Sequence, residues 1–206
     1  MYVLGINGSH RKGKVTYLLM NYILEKLKSR GCSVNLMELV DYNIKYCIAC
    51  NRCLERTECT IKDDDLHIIT DEMLKADCII IGSPVYFSNI TSRLKTFIDR
   101  TRWLHMKKDL LRNKLGACLV VGGLLYGGQE IVCQIIENYM LNMSLKVLKP
   151  RLVDSPIYLT SLATTLYKDM IDEKIVYKKK DELLDPLFIK SSELLVGSIL
   201  EDLKNS

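Results

Sequence analysis

Long apolar runs are absent from this 206-residue chain. The longest, Cys78 to Gly82 and Ala117 to Val121, are far shorter than the roughly 18 to 20 residues of a membrane-spanning helix. We therefore expect no segment to cross a bilayer and no membrane partner. The chain enters Tyr2 to Ile6 without the basic segment, apolar segment and small-residue cleavage site of a secretory leader, so we expect a cytoplasmic protein.

Blocks of like charge are also missing. The 29 basic residues are interleaved with 25 acidic ones, and the formal net charge is only +4. A nucleic-acid-binding surface is typically marked by clustered basic residues, so we expect no nucleic-acid partner.

Histidine is scarce, and the three present, His10, His67 and His105, are far apart in the sequence. No Ser/His/Asp or Cys/His nucleophile set stands out. We therefore predict no catalytic protein side chain, and expect any chemistry to be carried by a cofactor.

Short apolar runs alternate with segments of helical period, which is typical of a parallel sheet with helices on both faces. The length suits one domain, residues 1–206. The pattern predicts an α/β fold, a doubly wound five-stranded parallel sheet in the order 2-1-3-4-5. The predicted strands are Tyr2 to Ile6, Ser33 to Glu38, Asp77 to Ile81, Gly116 to Val121 and about Lys146 to Leu152. The predicted helices are Val15 to Ser29, Asp65 to Lys75, Thr91 to Arg102, Gln129 to Met143 and about Pro186 to Leu203.

The chain from about residue 156 is a C-terminal extension of this sheet. Its Thr and Ser cluster at 160–165 predicts a loop. The segment from Leu166 to Tyr177 is interpreted either as a helix or as an excursion toward a partner subunit.

The first strand leads into a loop, residues 7–16, that suits an anion. Gly8 and Gly13 permit backbone conformations that aim several N–H groups at one point, and the following helix start adds partial positive charge. Ser9 and Thr16 supply hydroxyls, and the cations Arg11, Lys12 and Lys14 lie among them. Because Val15 follows Lys14, this is not the P-loop pattern. A phosphate site is the prediction, and a plain strand-to-helix connection is the alternative.

Two further loops follow the third and fourth predicted strands. Gly82 to Asn89 is fixed by Pro84 and presents Tyr86, which suits the polar edge and flat face of a heterocycle. Periodicity alone leaves a core position open for Tyr86 and for Phe87. The loop from Gly122 to Glu130 has four glycines in its first seven residues, which is typical of backbone that approaches a ligand closely.

These three loops, with Leu94-Lys95-x-Phe97-Ile98-Asp99-Arg100, resemble those of the flavodoxin-like NAD(P)H-dependent FMN reductases over about residues 1–155. The resemblance implies a flavodoxin-like FMN-binding domain, with Ser9, Arg11 and Thr16 on the FMN phosphate. It also implies NAD(P)H as an electron donor and a homodimer or homotetramer. Many relatives have proline at His10 and asparagine at Lys14. The candidate cofactor-binding residues are Ser9, His10, Arg11, Lys14, Val15, Thr16, Pro84, Val85, Tyr86, Phe87, Ser88, Asn89, Gly122, Gly123, Gly127 and Gly128.

Four cysteines, Cys47, Cys50, Cys53 and Cys59, follow the spacing Cys-x2-Cys-x2-Cys-x5-Cys within an insertion at residues 43–64. The first two intervals match those of bacterial ferredoxin ligands. The run resembles that of iron-sulfur flavoproteins, which carry a [4Fe-4S] cluster beside FMN. Zinc, or thiols without a metal, are the alternatives. The other four cysteines stand in apolar segments, and we expect them to be buried hydrophobic residues.

Together these features predict an FMN-dependent oxidoreductase. Electrons would pass from a ferredoxin-type or small-molecule donor through the cysteine-ligated cluster to FMN and a small acceptor. An NAD(P)H-dependent FMN or quinone reductase without a cluster is one alternative. A flavodoxin-like electron carrier or redox sensor is another.

Overall fold

The computed structural model describes residues 1–149 and 162–204. A parallel sheet runs through the domain in the order β2-β1-β3-β4-β5, as predicted, and a further strand, β6, pairs with β4. The strands of the sheet are β1 Tyr2–Asn7, β2 Ser33–Glu38, β3 Cys78–Pro84, β4 Leu115–Gly122, β5 Lys146–Val147 and β6 Leu162–Thr165.

Six helices accompany the sheet in the described residues, and they cover both of its faces. The bounds are α1 Val15–Lys28, α2 Leu66–Lys75, α3 Ser92–Arg100, α4 Trp103–Met106, α5 Gln129–Asn142 and α6 Pro186–Lys204. The five predicted helices are present with ends shifted by one or two residues. The short helix α4 was not predicted.

Alternation along β3 shows why both faces are covered. Ile79 and Ile81 pack into a core with α2, α3 and α5, whereas Cys78 and Ile80 pack into a second core with α1 and α6. Burying each face under helices removes apolar surface from water, which is the main favourable contribution to folding. The doubly wound α/β prediction is confirmed. No helix in the described part of the chain is long and apolar enough to span a membrane.

The fifth position of the sheet differs from the prediction. β5 contains only Lys146–Val147, and residues 150–152 of the predicted strand lie outside the described residues. The carboxyl half of β4 pairs instead with β6, from Leu119 opposite Leu162 to Gly122 opposite Thr165. The predicted loop at 160–165 is therefore wrong over residues 162–165. Leu162 is buried, and its threonine neighbours suit a strand that can pair with the free edge of β4.

Residues 167–177 form a hairpin of two antiparallel strands, β7 Tyr167–Ile171 and β8 Lys174–Tyr177. Asp172 and Glu173 at its tip have φ values of +48° and +59°, as the two central residues of a type I′ turn require. The helical interpretation of this segment is wrong. The Lys178 N–H donates to the Leu166 carbonyl at 2.7 Å and closes the base of the hairpin.

Candidate functional site

The loop after β1 leaves the start of α1 open to an anion. No side chain caps the helix at Lys14, and its first turn contains no acidic residue. Uncapped N–H groups and the helix dipole together favour a negatively charged ligand. Arg11 and Lys14 are exposed, and neither has an acidic partner among the described residues. Lys12 is already paired with Asp41 at 2.6 Å.

Two buried polar side chains, which the sequence analysis missed, hold this loop from below. Asn7 and Glu38 are the last residues of β1 and β2 and lie opposite each other in the sheet. The Asn7 Nδ2 donates to Glu38 Oε2 at 2.9 Å, and the same carboxylate accepts from the Gly13 N–H at 3.1 Å. The Ser9 N–H donates to Asn7 Oδ1 at 3.0 Å. The signal for this support in the sequence was a polar residue, Asn7 or Glu38, at the end of each of these two strands.

Ser9 and Thr16, the two predicted phosphate contacts with hydroxyls, are both buried at this loop. The Ser9 Oγ accepts from the Arg11 N–H at 3.1 Å and donates to the Arg11 carbonyl at 3.3 Å. In this structure the Ser9 hydroxyl therefore shapes the loop.

The loop after β3 folds into a tight turn. Tyr86 and Asn89 exchange backbone hydrogen bonds of 3.0 and 2.9 Å, and the two residues between them, Phe87 and Ser88, have positive φ values. Phe87 is fully exposed, and Tyr86, 43% exposed, meets the His10 ring edge-on at 5.7 Å. The alternative that these two aromatics are core residues is wrong.

The loop after β4 packs against that turn through Gly128. Gly128 has a φ of +95°, and a Cβ there would lie 2.4 Å from Ser88 Oγ and 2.8 Å from Ser88 Cα. Only glycine therefore fits both the conformation and the close approach. On the same loop Tyr126 is fully exposed.

Backbone contacts join the three loops at one edge of the sheet. The Gly8 N–H donates to the Gly82 carbonyl at 2.8 Å, and the Val85 N–H to the Val121 carbonyl at 2.9 Å. Thr91, a buried residue that the sequence analysis missed, donates from Oγ1 to the Gly8 carbonyl at 2.6 Å and also caps α3. The structure thus brings all sixteen candidate cofactor-binding residues to this edge. An uncapped helix start beside exposed aromatics suits a flat cofactor with a phosphate.

The four clustered cysteines line one small cavity, of about 30 Å³, at the carboxyl end of α3. Cys47 and Cys50 are exposed, Cys53 and Cys59 are half-buried, and all four are free thiols. A hydrogen bond between Cys50 Sγ and Thr60 Oγ1, 3.3 Å apart, lowers the pKa of the Cys50 thiol. The remaining cysteines, Cys32, Cys78, Cys118 and Cys133, are buried, as expected.

The four thiols line this cavity but do not form a preassembled metal site. Residues 1–149 and 162–204 contain no group of three or more His, Cys, Asp or Glu side chains placed to hold a metal ion. The chemistry of the donor set nevertheless fits a metal centre with thiolate ligands, because four free thiols face one space.

A buried ion pair ties the cysteine insertion to α3. The Arg100 Nη1 donates to Asp64 Oδ2 at 2.5 Å and to the Lys45 carbonyl at 2.6 Å, and Nη2 donates to the Ile61 carbonyl at 3.3 Å. Asp64 also accepts from the backbone N–H groups of Lys45 and Leu66. Both ends of the insertion therefore hydrogen-bond to the same group, the guanidinium of Arg100.

Arg100 and Asp64 form an ion pair although both side chains are buried. Burial disfavours the ionised form of Asp64, but hydrogen bonds from Arg100, Lys45 and Leu66 outweigh it and lower the pKa of the carboxyl group. Burial likewise disfavours ionised Arg100, but the hydrogen bond to Asp64 and the neighbouring Cys59 thiol leave the pKa of its guanidinium raised.

Two buried donors beside the cysteines have no acceptor. Arg100 Nε and Trp103 Nε1 are inaccessible to solvent and unpaired among the described residues, and both side chains line the cysteine cavity. A buried unpaired donor costs about 1–3 kcal/mol. Leu104, which follows Trp103 on α4, is fully buried in the core.

The family model described as NADPH-dependent FMN reductase matches residues 1–157. An iron-sulfur flavoprotein of Archaeoglobus fulgidus is 34% identical over 201 residues, which cover 98% of this chain and 94% of that protein. An iron-sulfur flavoprotein of Methanocaldococcus jannaschii is 40% identical over 147 residues, 71% of this chain and 75% of that protein.

Among solved structures, a flavodoxin from the domain Archaea matches with a TM-score of 0.58 at 16% identity. The match covers 98% of this chain and 99% of that chain. This likeness establishes a flavodoxin-like fold.

Proposed function

The chain belongs to the NADPH-dependent FMN reductase family and to its iron-sulfur flavoprotein branch, and from this premise we propose that it passes electrons through a cysteine-ligated [4Fe-4S] cluster to FMN. In class it is a flavodoxin-like, FMN-dependent oxidoreductase. The donor in this proposal is a ferredoxin-type protein or a small molecule, the final acceptor is small, and the active form is a homodimer or homotetramer.

For FMN, we assign the phosphate to the open start of α1, near Ser9, His10 and Thr16. Arg11 and Lys14 supply unpaired positive charge there, and Val15, the first residue of α1, adds a backbone N–H donor. The loops at Pro84 to Asn89 and Gly122 to Gly128 hold the ring. Bound FMN supplies a centre that accepts electrons singly or in pairs.

The observation that supports a cluster is the arrangement of four cysteines around one cavity: Cys47, Cys50, Cys53 and Cys59. Thiolates are the ligands of iron-sulfur clusters, and the lowered pKa of Cys50 favours that form. The Arg100 side chain fixes both ends of the insertion, so the backbone that bears the thiols is anchored before any ligand binds.

Metal and flavin analysis of protein purified without air tests the proposal. We expect about four iron and four sulfide per chain together with FMN. Cys53→Ala should lose the iron and keep FMN, because the flavin loops are separate from the insertion. The matched control Cys32→Ala removes a buried thiol from the other core and should keep both. Zinc in place of iron, or no metal, would overturn the cluster assignment.

A second candidate is an NAD(P)H-dependent FMN or quinone reductase without a cluster. The observation that favours it is that the four thiols are not gathered as a metal site in the described residues. Fast reduction of the bound FMN by NAD(P)H, with no faster reduction by reduced ferredoxin, would support this candidate over the first.

A further inference from the structure

We propose that Trp103 donates a hydrogen bond from its indole N–H to a sulfur atom of the centre held by the cysteines, and that this bond raises the reduction potential of the centre. This inference rests on the proposed cluster. It adds a residue that is neither a cysteine ligand nor part of the flavin loops.

The position of Trp103 supports the role. It is the first residue of α4, directly after the Arg100 helix, and its side chain lines the same cavity as the four cysteines. Its ring packs against the core that contains α2, α3 and α5, which fixes the ring orientation.

The state of the indole nitrogen is the second observation. Trp103 Nε1 is buried and has no acceptor in the part of the chain that the structure describes. Indole has a donor and no acceptor, so only an acceptor can satisfy it. Sulfide and thiolate sulfur are the acceptors that a bound cluster brings to this cavity.

Arg100 provides a second, independent observation, because it also has a buried donor without an acceptor beside this cavity. Its Nη atoms are occupied by Asp64, Lys45 and Ile61, but its Nε is buried and unpaired. Two orphaned donors therefore belong to two residues that line the cavity with the four thiols.

The direction of the effect follows from charge. Reduction adds an electron to the cluster and makes its sulfur atoms better acceptors, so a donor stabilises the reduced form more than the oxidised form. Removing the donor should shift the midpoint potential to a more negative value. A purely structural tryptophan would leave that potential unchanged.

The test uses the fact that Trp103 is the only tryptophan in the chain. Protein labelled with ¹⁵N-tryptophan is reduced, and pulsed electron paramagnetic resonance records any coupling between the cluster and the label. In parallel, potentials are measured for Trp103→Phe and for the control Met106→Leu, which lies on the same short helix and changes no donor. We expect ¹⁵N coupling, a more negative potential in Trp103→Phe and an unchanged one in Met106→Leu.

The outcomes separate this inference from the proposed function. Wild-type protein without iron and sulfide overturns both. Wild-type protein that carries the cluster but shows no ¹⁵N coupling overturns the Trp103 assignment alone. If Trp103→Phe fails to fold or to bind iron, the labelled wild-type protein decides the question by itself.

Discussion

Replacing Arg100 with methionine should release the cysteine insertion and destabilise the domain. The Arg100 and Asp64 side chains are 0% and 1% exposed, so the variant leaves a buried carboxylate without its cation. Breaking a buried ion pair from one side costs about 3–5 kcal/mol. The carbonyls of Lys45 and Ile61 lose their donor at the same time, which places the expected loss of unfolding free energy in the upper half of that range.

Urea unfolding followed by circular dichroism measures this loss, at one fixed excess of FMN because a bound ligand adds its own stability. The double variant Arg100→Met, Asp64→Asn removes the stranded charge, and we expect it to regain about 1–3 kcal/mol relative to Arg100→Met. The matched control is Arg102→Met. Arg102 is exposed and donates to Asn51 Oδ1 at 2.9 Å, and its loss should cost less than about 1 kcal/mol.

A second readout localises the effect. Limited proteolysis should cut Arg100→Met within residues 43–64 faster than the wild-type protein. A loss below about 1 kcal/mol in Arg100→Met, or no coupling with Asp64→Asn, would refute the claim that this pair fastens the insertion.

Two further predictions concern pH and the flavin loops. Because the pKa of Asp64 is lowered in the folded protein, its contribution to stability is present above the unfolded pKa of about 3.9 and is lost as pH falls through the folded value. Acid unfolding of Asp64→Asn should therefore have a shallower dependence on pH than that of the wild-type protein in this range, and equal slopes would contradict the assignment. Gly128→Ala adds a Cβ against Ser88 at a positive φ, a strain of about 1–3 kcal/mol, so flavin fluorescence titration should show FMN binding weakened by about 5- to 150-fold. Gly197→Ala is its control, since Gly197 is on α6, outside the flavin loops, and a Cβ there meets nothing within 4 Å. Equal affinities in the two variants would count against the packing of the two loops.

The sequence predicted the parts of the fold that depend on local pattern. The apolar run in β3 and the glycine-rich loops after β1 and β4 were sufficient to predict that the three loops meet at one edge of the sheet. β6 was missed because its pairing with β4 is non-local. The hairpin was missed because its turn has Asp172 and Glu173, not glycine or asparagine, at positive φ.

The buried residues that hold the loop after β1 and the cysteine insertion in place could be predicted less well than the loop and the insertion themselves. Glu38 ends a strand and carries no motif, yet it holds the loop through Gly13. Arg100 and Asp64 are 36 residues apart in sequence, so only the folded chain brings them together. Buried polar partners of this kind have no local period for a sequence pattern to detect.

Helix α3 sets the spacing of the two sites. Thr91, at its N-terminal cap, donates a hydrogen bond to Gly8 in the loop after β1, and Arg100, its last residue, holds the cysteine insertion. Nine residues at 1.5 Å each separate these ends by ~13 Å. An inserted residue would turn Arg100 by about 100° away from Asp64 while leaving Thr91 in place. The length of α3 therefore fixes the distance between the two sites. Insertions or deletions in α3 should be tolerated far less than substitutions of its exposed side chains.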